Sequence, residues 1–278
     1  MQNRTDLALE QAEQCGMPEG ITLSRRGRAF RITELVIDSD EHGAVIGRGK
    51  GRCLTLELPD GCDLPAEQAQ AEELAAELRS FLPEGAALIA GLGNADITPD
   101  ALGPQAAARI LATRHLQAEL SAHDPETSFL RGLRQVSVLA NGVLGQTGIE
   151  TAEMIRALRE TVSPAFVIAI DALACSDLSR LGSTIQISDA GISPGSGVRN
   201  RRAELSERTL GIPVIAVGMP TVVDLHTVVH GMPETPPDMM VTPRDIDRLL
   251  HRAARLIALG VNLALHPQLS FADAEALG

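Results

Sequence analysis

From residue 86 onward the chain sets short apolar runs among longer stretches of helical periodicity, and this alternation limits its fold more than any other feature. The runs are ALIAGLG, QVSVLA, FVIAIDAL, TIQISD and PVIAVGMPTVV. Each is brief and continuous, as expected of a strand covered on both faces. The helical stretches are about Pro104 to Leu116, then TGIETAEMIRALRETV, then VTPRDIDRLLHRAARLIALGVN. The second carries a Thr147-to-Glu150 capping box; the third is capped by Thr242, with Pro243 in its first turn. Strands alternating with helices predict an α/β fold with a mostly parallel central sheet flanked by helices. Residues 21–58 alternate with a period of two around the turn GRGKGR, which predicts an N-terminal antiparallel β element. Residues 66–82 predict an amphipathic surface helix with Ala69, Leu74, Ala75 and Leu78 on one face. Residues 1–20 read as a polar arm.

Composition narrows the function classes. With 44% hydrophobic and 22% charged residues the chain can fill the core such a fold needs. A net charge of −12 argues against nucleic-acid binding, which leans on Lys and Arg neutralising phosphates. The absence of Trp and Tyr removes the usual stacking platforms for single strands. No apolar run approaches the roughly 20 residues that span a bilayer. The first residues have no apolar signal region either, so a cytoplasmic protein is expected. Cys15, Cys53, Cys62 and Cys175 are scattered without a CxxC pair and read as small, partly buried apolar residues.

In open α/β sheets ligands sit at the carboxyl ends of the strands, so the polar sequences there are the candidates for chemistry. GLGNADITPDALGP lacks the third glycine of a dinucleotide loop and is interrupted by Pro99 and Pro104. It does carry Asp100, which either opens a helix or stands in a loop just beyond the first strand. FVIAIDALAC puts Asp171 among Val, Ile and Ala, where a carboxylate is costly unless partnered. Asp171 reads equally as a turn-capping group and as a catalytic one. Two carboxylates meeting in one cleft cannot easily both ionise, so such a pair can serve as acid and base on a water and an amide. Cys175 has no evident His partner, and the seven histidines make no HExxH. ISDAGISPGSGVRNRR is a glycine-rich loop whose Arg199, Arg201 and Arg202 either form a solvated basic face or hold acidic side chains of a substrate.

Taken in order, RTDLALE, AVIGRGKGRCLTLE, GLGNADITPDALGP, TRHL, GVLGQTGIET, FVIAIDALA, TIQISDAGISPGSGV, TLGIPVIAVGMPTVVD, MVTPRDID and GVNLALH resemble the germination proteases of spore-forming bacteria. The likeness runs from about residue 4 to residue 266. It implies an endopeptidase of small acid-soluble spore proteins in the forespore, with Asp100 and Asp171 as the essential aspartate pair, no required metal or other cofactor, and a homotetramer. It also implies a zymogen. Thr5-Asp6-Leu7-Ala8-Leu9-Glu10 fits the family's substrate pattern, so self-cleavage is expected between Asp6 and Leu7. On this reading residues 1–6 are a short propeptide and 7–278 a single peptidase domain with its catalytic core at 86–266. The chain departs from the family's usual wording at residues 199–202, at Asn141, and in the short Leu225–Met240 segment.

Two alternatives stay open at this point. The GxGN…DxxG wording and a strand-end Asp are also similar to the hydrogenase maturation endopeptidases, in which Asp or Glu and a His grip a nickel carried by the substrate. That reading needs a histidine, and none stands in the corresponding context. A peptide-binding module that kept the sheet but lost the chemistry is the other.

Overall fold

The computed structural model describes residues 4–59, 65–116, 130, 132–195, 202–228 and 239–278. The apolar runs do become strands. β1 is Ile21–Arg26, β2 Arg31–Ile37, β3 Gly51–Glu57, β4 Ala87–Gly91, β5 Val136–Leu139, β6 Phe166–Cys175, β7 Thr184–Ser188, β8 Val214–Asp224 and β9 Met240–Val241. They form one sheet in the order β1-β2-β3-β7-β8-β6-β4-β5, with β9 on β8. The strands β5, β4, β6 and β8 are parallel, and the expected antiparallel element β1–β3 extends the same sheet through β7.

TIQISD forms β7, which runs antiparallel to both β3 and β8. Only residues 176–183 separate β6 from β7, too few for the crossover of a dozen or more that a parallel partner requires. The sheet therefore changes from parallel to antiparallel at β8.

The main helices are α1 (Ala8–Gln14), α2 (Asp40–Val45), α3 (Pro65–Arg79), α4 (Leu102–Ala107), α5 (Thr151–Val162), α6 (Ile246–Leu265) and α7 (Phe271–Leu277). On one face of the sheet α3 and α6 pack Leu74, Leu78, Leu250 and Ile257 against Ile89, Ile168 and Val217. On the other, Ile155 of α5 joins Leu88, Val167, Ala169 and Leu173. Helices on both faces explain why β4 and β8 are almost continuously apolar.

Tertiary partners move several helix boundaries. α3 buries Gln70 and Ala71 where Ala69 was expected, and Ala69 is exposed. α4 starts at Leu102 and stops at Ala107 instead of continuing to Leu116. Its end is met by Asn262 of α6, which accepts from the Leu111 N–H at 3.0 Å and donates to the Arg109 carbonyl at 2.9 Å. The cap of α5 lies three residues beyond Thr147: the Glu153 carboxylate accepts from the Glu150 N–H at 3.2 Å. The Thr147 hydroxyl serves the Ile149 N–H instead. Thr242 does not cap α6, because its hydroxyl donates to the Thr221 carbonyl of β8 at 2.8 Å, and the helix begins at Ile246 after Asp245.

Residues 4–20 are not a polar arm in solvent. Leu7 is extended (φ −84°, ψ 121°) and fully buried, and α1 starts at the next residue. Its side chain joins the cluster of Leu92, Leu173 and Val223, a burial worth roughly 1.5–3 kcal/mol.

Candidate active site

β4 ends at Gly91 while β6 continues to Cys175, so Asp171 lies one residue beyond the last β4 pairing, that of Gly91 with Ile170. Asp171 is therefore within a strand and not at its end. On its other side it pairs with Gly218 of β8, which in turn pairs with Gln186 of β7. Directly paired residues face the same side of a sheet, so Asp171 and Gln186 flank a position that carries no side chain. A Cβ on Gly218 would stand 2.7 Å from the Asp171 carbonyl oxygen.

After β4 the Leu92 N–H bonds the Ile170 carbonyl at 2.8 Å, and the chain turns back through a single 3₁₀ turn, Thr98–Asp100. Gly93 allows this return: its φ is +110°, and a Cβ there would lie 2.0 Å from the Asp100 carbonyl oxygen. The Asn94 N–H donates to Asp100 Oδ2 at 2.8 Å, and Thr221 Oγ1 of β8 donates to the Pro99 carbonyl at 2.7 Å. Asp100 is half-buried.

Electrostatics couple the two carboxyls. Asp171 is 5% exposed, and burial pushes its carboxyl well above the ordinary carboxylate range. The Asp100 charge raises it further, and then the Asp6 charge. Burial also raises the Asp100 carboxyl, but the Asn94 N–H and the Arg202 cation pull it back. The pair is thus uneven: Asp171 holds its proton more firmly.

The segment before α1 is bound along β6, the strand that carries Asp171. The Asp6 N–H donates to the Ala174 carbonyl at 2.8 Å, and the Ala174 N–H donates to Asp6 Oδ2 at 2.9 Å. These groups are on the part of β6 that β4 leaves uncovered. The Asp6 carbonyl oxygen accepts from Gln186 Nε2 at 3.1 Å and from the Arg48 guanidinium. Gln186 Oε1 accepts from the Ala8 N–H at 2.7 Å. Glu10 is 2% exposed and accepts from Ser176 N (2.6 Å), Ser176 Oγ (2.7 Å) and Asp177 N (3.1 Å), with Arg180 at 3.4 Å. Along the segment lies a cleft of about 1520 Å³ lined by Thr5, Asp6, Arg48, Gln186 and Gly218. Neither Asp100 nor Asp171 is among its lining residues while the segment is bound.

The residues singled out from sequence fare unequally. The charges of Asp100 and Asp6 reach Asp171, and Leu7 shares an apolar cluster with Leu173 of the same strand. Arg202 is near enough to Asp100 to act on its charge, whereas Arg199 and Arg201 lie outside the described residues, as do Cys62 and most of the Leu225–Met240 segment. Burial pushes the Cys175 thiol up to about 12, so it supplies no thiolate at neutral pH. Among the described residues no three His, Cys, Asp or Glu side chains gather as metal ligands; His123 and His230 lie outside those residues. No described helix is long and apolar enough to cross a membrane. Sequence reading missed Arg48, Gln186 and the Glu10 nest. The one available signal was an amide, Gln186, inside an otherwise apolar strand.

Comparison with known proteins gives a consistent result. The sequence model of a family described as germination protease matches residues 3–234. A germination protease of Clostridium tetani is 37% identical over 323 aligned positions, covering 98% of both chains. One from Caldanaerobacter subterraneus is 38% identical and covers 96% of this chain and 95% of its own. One from Bacillus cereus is 46% identical over 81% of this chain and 64% of its own. Among solved structures, the NiFe hydrogenase maturation protease HycI from Thermococcus kodakarensis matches with a TM-score of 0.37 at 20% identity, over 66% of this chain and 98% of that one. A likeness that slight carries no argument about chemistry.

Proposed function

The chain belongs to the germination protease family, and from that premise we propose that it is an aspartate-dependent endopeptidase, made as a zymogen that cuts itself between Asp6 and Leu7. One observation carries the reading: Asp6 is hydrogen-bonded through both its N–H and its carboxylate to Ala174 of β6, the strand that carries the buried Asp171. The charges of Asp100 and Asp6 both reach the Asp171 carboxyl, which agrees with that placement.

The uneven pair suggests the roles. Asp100, the more exposed and the one drawn down by Arg202, takes a proton from water as its oxygen attacks the Asp6 carbonyl carbon. Asp171 gives its proton to the Leu7 nitrogen as the C–N bond breaks. A proton returning from Asp100 to Asp171 resets the site. Cleavage in trans follows the same course on small acid-soluble spore proteins that offer Thr, an acidic residue, a large apolar residue, Ala and a nearby Glu. Residues 1–6 are then the propeptide and residues 7–278 the peptidase unit. Family membership is the ground for a homotetramer that works in the forespore, with no metal or other cofactor required.

The test compares the intact chain with Asp100→Asn and Asp171→Asn, by N-terminal mass after incubation at mildly acidic pH and by cleavage of a spore-protein peptide. The parent should lose residues 1–6, and both variants should stay folded and uncut. An active enzyme that keeps Met1 would refute self-cleavage. Full activity in either variant would remove that aspartate from the mechanism.

A further inference from the structure

We propose that Arg48 and Gln186 are the oxyanion site of this enzyme, the donors that hold the carbonyl oxygen of the bond being cut. The inference rests on the reading that Asp6–Leu7 is that bond. The Asp6 carbonyl oxygen is where negative charge develops when water adds to its carbon, and it already has two donors from separate elements. Gln186 Nε2 approaches from β7 at 3.1 Å; the Arg48 guanidinium approaches from the turn between α2 and β3.

Both donors are fixed in advance. Gln186 is 5% exposed, and its Oε1 is committed to the Ala8 N–H, which determines which end of the amide faces the carbonyl. Arg48 Nε donates to Gln11 Oε1 at 2.7 Å, which sets the plane of its fork. Donors that need no reorganisation are worth most where water is excluded, and a charged one roughly doubles the strength of a neutral bond. Gly218 stands between Asp171 and Gln186 in the same row, and the Leu173 side chain covers it, 2.7 Å from where a Cβ would be, so the acid and the donor lie on either side of an apolar floor. Arg48 and Gln186 also line the cleft, so they can serve an incoming chain after the first cut. Their contacts with the Asp6 carbonyl are to main chain, so they act on the bond whichever side chains flank it.

The alternative is that the two residues merely fasten the segment, and the test must separate fastening from catalysis. Self-cleavage of the full chain would be followed by N-terminal mass in the parent, Arg48→Met, Arg48→Lys and Gln186→Leu. Docking of the segment would be followed by hydrogen exchange at the Ala174 amide, which Asp6 holds. Loss of one oxyanion donor costs roughly 10²–10³ in rate. Arg48→Met and Gln186→Leu should therefore be cut about 10²–10³-fold more slowly with Ala174 still protected, and Arg48→Lys should recover part of the loss. Variants cut at the parent rate, or slowed only as far as Ala174 loses protection, overturn the oxyanion site alone. A parent that is never cut at Asp6–Leu7 overturns it together with the reading beneath it.

Discussion

Glu10 offers a quantitative test of how the N-terminal segment is held. Its carboxylate takes two backbone N–H groups and a hydroxyl from Ser176 and Asp177, and Arg180 stands 3.4 Å away. Truncating one member of a buried, hydrogen-bonded charge pair costs about 3–5 kcal/mol, because its partners are left behind unmatched. Arg180 keeps Glu13 at 3.0 Å and Glu57 at 3.5 Å, so the low end, about 3 kcal/mol, is the appropriate figure for Glu10→Ala. Glu13 contacts the same Arg180, but its side chain is 46% exposed, and such pairs contribute about 0.2–1 kcal/mol. The assay is native-state hydrogen exchange at the Ala174 amide in an Asp100→Asn background, which guards against the proposed self-cleavage during measurement. At about 1.4 kcal/mol per tenfold, protection should fall about a hundredfold in Glu10→Ala and by less than about fivefold in Glu13→Ala. Unchanged protection in Glu10→Ala, or equal losses in both variants, would refute the argument that buried Glu10 anchors the segment.

Three further outcomes are expected. The raised Asp171 carboxyl favours the fold below the ordinary carboxylate pKa, and that contribution is lost as pH rises through the raised value. Asp171→Asn should therefore melt close to the parent near pH 4, about the unperturbed value, and above it at alkaline pH; a lower Tm throughout would contradict this. Arg202→Ala removes the cation that draws the Asp100 carboxyl down, so the acidic limb of its pH–rate profile on a spore-protein peptide should move to higher pH, and an unmoved limb would separate Arg202 from Asp100. His266 is buried, neither ring nitrogen has a hydrogen-bond partner among the described residues, and burial pushes its pKa down to about 4. Stability should thus fall as pH drops from about 6.5 toward 4, and His266→Leu should flatten that slope in a Tm series.

The strands could be read from sequence because each is a brief apolar run, and Asp171 stood out because a carboxylate is costly in such company. Asp100 was visible as a polar residue just past β4. The direction of β7 was readable in principle from the short 176–183 connection, which outweighs the general alternation of strands and helices. Other features depend on contacts between distant parts of the chain and leave no local trace. Leu7 follows a polar stretch and looks like any residue of a surface arm; only the length by which β6 outruns β4 makes a buried place for it. Arg48 sits in a glycine-flanked turn where composition indicates solvent. The boundaries of α4 and α6 are set by Asn262 and Thr242 choosing partners elsewhere in the fold, which no capping rule anticipates.

The bond between Asp6 and Leu7 lies where an extended stretch becomes a helix, since Leu7 is the last extended residue and Ala8 the first helical one. A foreign chain bound in the same way would have to coil immediately downstream of the proposed cut. Two targets with identical letters around the bond would then be digested at different speeds if one continues in good helix formers and the other in glycines, each glycine adding about 1 kcal/mol to the cost of coiling. Susceptibility would be written partly in the downstream flank, beyond the reach of any short consensus.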